Sequence, residues 1–278
     1  MSDVKISAKD VKALRDQTGA GMMDCKKALA EAGGDINKAI EILRKKGQKL
    51  SAKRADRDAK EGVVIAKVSE DHSKGVIVRL SCETDFVAKN DDFVNLTHKI
   101  ADLALTSFPA DKDSLLASDF GGISLGDKIT EQIGVIGEKI ELADYEKLEA
   151  PMVLPYIHMG NKAGVIVGLN KAADSYESAG KDVAMQVAAM KPVAVDKEGV
   201  SQEVIDKEIE IGMEIARKEG KPEEMLERIA TGKLNKFFKE NTLLNQVFVK
   251  DGKKTVGQYL DGVESGLSVT DFKHVKLG

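Results

Sequence analysis

The sequence predicts an α+β protein: a small all-helical module, then a duplicated sheet-and-helix core with an antiparallel helical hairpin inserted into its second copy. Three observations predict it. Residues 3–47 carry three short amphipathic segments punctuated by glycine. Lys74-Gly-Val-Ile-Val-Arg-Leu80 recurs as Ala163-Gly-Val-Ile-Val-Gly-Leu169, each followed by a helix-like segment and then a proline, Pro109 or Pro192. A turn at Gly220-Lys-Pro222 separates two long runs of helical apolar spacing.

In the first module, Ser7 is placed to cap a helix, with Asp10 as the reciprocal acid and Ile6 stapled against Val11. Val11, Leu14 and Thr18 mark its buried side, and Thr18-Gly-Ala-Gly21 ends it because glycine takes backbone angles other residues avoid. Met22, Cys25, Leu29 and Ala32 mark a second helix ended by Gly33-Gly34. Asp35 caps a third, with Ile36, Ala39, Ile40 and Leu43 inside. Residues 1–50 resemble a ubiquitin-associated binding module. Arg44, Lys45, Lys46, Lys49, Lys53, Arg54, Arg57 and Lys60 then accumulate against Asp56 and Asp58. Without interleaved aromatics to stack bases, this run reads as a solvated helix end entering a linker at 51–61.

The first core copy spans 62–150. Val63 to Val68 and Gly75 to Cys82 read as hairpin strands joined by polar Ser69 to Lys74, with Val76, Val78, Leu80 and Cys82 on one face. Phe93, Val94, Thr97, Ile100, Ala101, Ala104 and Leu105 recur at helical spacing, and Asn90, Asp91 or Asp92 supplies the cap. Between them, Glu83 to Lys89 is a strand-to-helix turn carrying Phe86 among charges. An apolar ring in such a turn ordinarily folds back onto its own core. The repeat argues otherwise: from glycine to proline the first copy is six residues longer, and the simplest alignment puts the excess in or beside this turn. A duplicated framework whose copies differ at one loop marks that loop as functional. Pro109 to Thr130 is turn-rich and says little, whereas Ile129 to Leu142, containing GVIGEKIEL, can end as a strand.

The second copy takes 151–195 and 240–278. Met152 to His158 and Gly164 to Leu169 are its strands, turning at Gly160, followed by an amphipathic segment around Val183, Val187 and Met190. The hairpin occupies 196–239. Ser201 caps a helix with Val204, Ile205, Ile209, Gly212, Ile215 and Ala216 along one side, supported by Glu203–Lys207 and Glu214–Lys218 pairs. Met225, Leu226, Ile229, Ala230, Leu234, Phe237 and Phe238 line its return as a coiled coil. A two-helix projection cannot bury both faces, so it invites another chain, a second copy of this one included. The sheet is expected to resume at Leu243 to Val249, with a short helix at Thr255 to Leu260 and an extended end from Leu267 to Leu277.

Composition narrows the function. Charged residues make up 32% and aromatics 4%, there is no Trp, and the net charge of −4 disfavours whole-protein attraction to nucleic acid or anionic membrane. The start has neither leader nor transit character, and no run approaches membrane-spanning length, so a cytoplasmic protein is expected. Cys25 and Cys82 are too few for a disulfide framework. The four histidines His72, His98, His158 and His274 show no metal spacing, and no GxSxG, GxGxxG or phosphate loop is present. Cys82 sits beside Glu83 and Asp85, whose charges oppose thiolate formation. The expectation is a binding protein without catalytic residues, metal or cofactor.

TGAGMMDCKKAL at Thr18 to Leu29, GGDINKAIEILRKKG after it, CETDFVAKN at Cys82 to Asn90, Tyr156-Ile-His158 before GVIV, and EGKPEEMLERIATGKLNKFFKE resemble elongation factor Ts. The resemblance covers nearly the whole chain in order. It implies a guanine-nucleotide exchange factor that binds elongation factor Tu with GDP, expels Mg²⁺ and GDP, and leaves when GTP binds. It further implies that Thr84, Asp85, Phe86 and Val87 dislodge the partner's Mg²⁺, with Phe86 as the wedge. His158 presses on the same surface, and Arg15, Met22 and Met23 grip the partner's nucleotide domain. Some relatives carry a further helical module, and contacts made by it are not carried over to a chain ending at Gly278. The competing readings are an RNA-binding translation accessory protein that uses the basic run at 44–60, and an adaptor built on the first module.

Overall fold

A computed structural model describes residues 6–278; the start of the module expected at 3–47, and of the stretch read for a leader, lies outside the described residues. The chain forms two compact units. One takes the chain up to Ile65, Val78–Tyr145 and Lys276–Gly278; the other takes Ala66–Ile77 and Glu146–Val275. Helices and sheets are both abundant, as an α+β protein requires.

In the first unit, α1 (Ala8–Thr18), α2 (Met22–Glu31) and α3 (Ile36–Arg54) form the expected trio. The Ser7 hydroxyl accepts from the Asp10 amide, and the Asp10 carboxylate accepts from the Ser7 amide. Gly19 closes α1 at φ 72°, a left-handed angle that favours glycine. Val11, Leu14, Cys25, Leu29 and Ala39 make the module's core.

Strands β1 (Glu61–Val68) and β2 (Lys74–Cys82) lead to a one-turn helix α4 (Asp85–Ala88), then α5 (Asp91–Ser107), α6 (Lys112–Ala117), α7 (Leu125–Ile136) and β3 (Ile140–Glu149). The sheet order is β1-β2-β3. On α5, Asn90 is the cap and Phe93, Leu96, Thr97, Ile100, Ala101 and Ala104 form the buried stripe. The stretch Pro109 to Thr130, expected to be turns, holds α6 and the start of α7. Ser124 caps α7 by accepting from the Asp127 amide, and Leu125, Ile129 and Ile133 are buried on it. Gly121, Gly122 and Gly126 dilute that signal in the sequence.

Helix α7 receives α3 at close range. A Cβ added to Gly47 would lie 2.7 Å from the Thr130 carbonyl oxygen, and one added to Gly134 would lie 3.0 Å from the Gly47 Cα. Paired glycines therefore let two backbones touch, and Arg44 Nε donates to Glu131 Oε1 (2.7 Å) beside them.

In the second unit, β4 (Met152–His158) pairs antiparallel with β5 (Ala163–Leu169), Met152 opposite Leu169 and His158 opposite Ala163. Then come α8 (Glu177–Met190), the hairpin α9 (Gln202–Lys218) and α10 (Glu223–Asn241), β6 (Val247–Phe248), β7 (Asp251–Thr255), α11 (Val256–Val263) and β8 (Val269–Lys276). The sheet order is β4-β5-β8. The sheet does not resume at Leu243 to Val249: Leu243–Asn245 is a 3-10 turn, and the two-residue β6 pairs with β7 apart from the core sheet. The Leu243 and Leu244 amides donate instead to the Ala194 and Val195 carbonyls, and the buried Gln186 side chain ties down Val247 and Val249.

The repeat extends beyond its sequence match. Both α5 and α8 end in a left-handed residue immediately before proline, Phe108 at φ 43° and Lys191 at φ 49°. Helix α5 has 17 residues and α8 has 14, so three of the first copy's six extra residues lengthen the helix, two lengthen the strand and one enlarges the turn.

Gly47→Ala tests the α3–α7 contact. Overpacking costs about 1–3 kcal/mol against a helix-propensity gain of about 1 kcal/mol. The expected result in denaturant unfolding is a net loss of up to about 2 kcal/mol, and a net gain would mean that the helices separate freely.

Candidate functional site

The turn singled out from the sequence becomes α4. Thr84 is its cap: the Thr84 hydroxyl accepts from the Val87 amide (3.4 Å). Asp85 pairs with Lys89 one turn later (2.6 Å), an exposed contact that holds the Asp85 carboxyl below its ordinary range. Such pairs contribute little to stability, so Asp85 can be drawn away by a better partner. Phe86 is 83% exposed. It does not fold back onto the core. Val87 is half-buried. Phe86 and Val87 line an open depression of about 610 Å³, shared with Gly19, Phe93, Phe120 and Ile136.

Beneath the turn lies a group of charges that the sequence reading did not single out. Glu83, whose side chain is 13% exposed, accepts from Arg54 Nη1 (2.6 Å), Arg57 Nη1 (3.0 Å) and the Lys139 amide (2.6 Å). Glu138 accepts from the Thr84 amide (3.0 Å) and the Thr84 hydroxyl (2.7 Å). Lys139 Nζ donates to the Ala55 and Arg57 carbonyls, both at 2.9 Å. The basic run is therefore not simply a solvated helix end: α3 continues to Arg54, and Arg54 and Arg57 are committed to Glu83. The unmatched positive charge of residues 44–60 was a signal for a distant acid, but spacing could not say which.

Met22 and Met23, in the first turn of α2, are 46% and 63% exposed. Met22 does not belong to the buried side it was placed on, because Cys25, Ala28 and Leu29 fill that side alone. Arg15 lies exposed in the last turn of α1, and its carbonyl accepts from the Gly19 amide. The structure thus groups Thr84 to Val87 on one turn, and Arg15, Met22 and Met23 about one end of the helical module. His158 belongs to the other unit, at the end of β4, where its Nδ1 is 2.9 Å from the Tyr156 hydroxyl. Cys82 is fully buried, and burial together with the nearby Glu138 pushes its thiol up to about 12. That group is no nucleophile.

The sequence model of a family described as Elongation factor TS matches residues 83–278. The chain is 57% identical over 274 residues to "Elongation factor Ts" of Christiangramia forsetii, covering 99% of both chains. It is 54% identical over 274 residues to the protein of that name from Amoebophilus asiaticus, covering 98% of this chain and 99% of the other. The same name belongs to a Flavobacterium psychrophilum protein, 52% identical over 273 residues with the same coverage.

Burial raises the Glu83 carboxyl, but the Lys139 amide and the Arg54 and Arg57 guanidiniums outweigh it and hold the group at about 2, against an ordinary 4.5. A depressed carboxyl contributes stability above its unfolded value and loses it as pH falls toward its folded value. Denaturant unfolding of the wild type and Glu83→Gln should therefore differ at neutral pH, and the difference should shrink between about pH 4.5 and 2. A difference independent of pH would remove the charge from the explanation.

Proposed function

The chain belongs to the elongation factor Ts family, and on that premise we propose that it is the guanine-nucleotide exchange factor of elongation factor Tu in the cytoplasm. It binds the GDP-bound partner, displaces Mg²⁺, promotes GDP release, and departs when GTP binds. No covalent step is involved. The observation that carries this reading is Phe86, an aromatic ring left 83% exposed at the tip of a capped and anchored turn.

In this mechanism Phe86 wedges between partner helices while Asp85 exchanges its loose pair with Lys89 for groups of the partner. Thr84 and Val87 hold the turn in shape. Arg15, Met22 and Met23 grip the nucleotide domain, and His158, its ring oriented by Tyr156, presses on the partner from the second repeat. Burying one Phe supplies about 1.5–3 kcal/mol. Accelerating release by about ten-thousandfold requires about 5.5 kcal/mol. The wedge alone is thus insufficient, and loss of Mg²⁺ bridging with the methionine contacts must supply the rest. Linkage then requires nucleotide to weaken the factor's grip by the same factor by which the factor weakens nucleotide.

The alternative of RNA binding through the basic run loses support, since Arg44, Lys46, Arg54, Arg57 and Lys60 are each ion-paired within the chain. Pairing of two copies through the helical hairpin belongs to the proposal as well, supported by Ile211, Ile215 and Met225, which remain exposed on it.

Stopped-flow release of a fluorescent GDP analogue from elongation factor Tu tests the reading. Strong acceleration by the wild type, with loss of about a hundredfold or more in Asp85→Ala/Phe86→Ala at unchanged thermal stability, is expected. No acceleration by the wild type would sink the exchange reading. Equal acceleration by both would move the activity to the helical module or His158.

A further inference from the structure

We propose that Glu83 and Glu138 are positioning residues whose carboxylates lock the Thr84–Val87 turn to the α7–β3 corner and, through Arg54 and Arg57, to the end of α3, so that turn and helical module meet the partner as one rigid part. The proposal deepens the exchange reading and rests on it.

The geometry is reciprocal. Glu83 and Thr84 are adjacent, as are Glu138 and Lys139. The Glu83 carboxylate takes the Lys139 amide, while the Glu138 carboxylate takes the Thr84 amide. Each corner therefore satisfies the backbone of the other, and neither can rotate without orphaning a donor. The third participant is the chain leaving α3: Arg54 and Arg57 close on Glu83 from one side, and Lys139 Nζ reaches the carbonyls of Ala55 and Arg57 from the other.

The connection to the proposed docking face runs through one residue. Thr84 Oγ1 donates to Glu138 Oε1 and accepts from the Val87 amide, so the acid fixes the hydroxyl that caps α4. Neither carboxylate bonds Asp85 or Phe86; both act beneath them, on the backbone that aims them. Charged acceptors suit this task, since charge-assisted hydrogen bonds are shorter and about twice as strong as neutral ones. An amide at position 83 would turn an NH₂ group toward at least one of its N–H donors, and at position 138 it would oblige the Thr84 hydroxyl to accept where it now donates.

Two measurements on the full-length chain test the proposal, using Glu83→Gln and Glu138→Gln. In hydrogen–deuterium exchange of the free protein, peptides covering 84–90 should exchange about tenfold faster in either variant, while those covering β2 and α5 keep their rates. In GDP release from elongation factor Tu, the maximal rate should fall about tenfold, while the half-saturating concentration moves less than about threefold. Arg54→Lys, which keeps a cation opposite Glu83, should retain more of that rate than Arg54→Met. Unchanged exchange at 84–90, a uniform rise across all peptides, or a wild-type maximal rate in the variants would each overturn it. Failure of the wild type to accelerate release would instead overturn the exchange reading, and the hydrogen-exchange contrast would still decide whether the carboxylates position the turn.

Discussion

A carboxylate that is only 13% exposed must be matched by donors, and Glu83 is matched by two guanidiniums and a backbone amide drawn from two distant segments. Loss of any of these donors leaves so enclosed a carboxylate less well compensated. The conformations at 54–57, 83–84 and 138–139 are thereby mutually dependent. This dependence is what permits Phe86 to stand in solvent. A four-residue helix has no stability of its own, and an unanchored turn would let the ring collapse onto the nearest apolar surface.

Helix α3 carries the constraint back into the helical module. Its 19 residues span about 28 Å. Ala39 is buried in the module's core, Gly47 touches the backbone of α7, and Arg54 closes on Glu83. One element with three attachments makes the position of Met22 and Met23 a consequence of packing at Gly47 and of charge at Arg54. Shape and electrostatics thus fix the same geometry independently, at opposite ends of one rod.

What could be read from the sequence were the features whose causes are local. The Ser7–Asp10 capping box, the glycine breaks, the Asn90 cap, the repeated strand and the Gly220-Lys-Pro222 hairpin each depend on residues within a few positions of one another. The features that escaped depend on contacts across the chain. Arg54 and Glu83 are 29 residues apart, and Thr84 and Glu138 are 54 apart; no periodicity joins them. Helix α7 was obscured by its own Gly126 and Gly134, the second of which is there to admit α3. Leu243 to Val249 reads as a strand by composition, but the Ala194 and Val195 carbonyls and the buried Gln186 side chain claimed its backbone first. The turn itself was found through the repeat, although composition alone would have buried its ring.

The two copies serve as each other's control. Both have a strand, a turn, a helix and a left-handed residue before proline, so the framework is common. At the second corner Asn170 closes the turn with neutral bonds, its Nδ2 to the Gly266 carbonyl and its Oδ1 from the Ser268 amide, both at 2.9 Å. The following segment is a 3-10 turn whose aromatic, Tyr176, packs against that unit's own core. That is the ordinary fate of a ring in such a place. At the first corner a slightly longer turn, a threonine cap and two carboxylates replace the asparagine, and the aromatic faces solvent instead. The exposure of Phe86 therefore does not follow from the strand–helix framework, which its twin shares. It follows from the longer turn and from the charges that hold it.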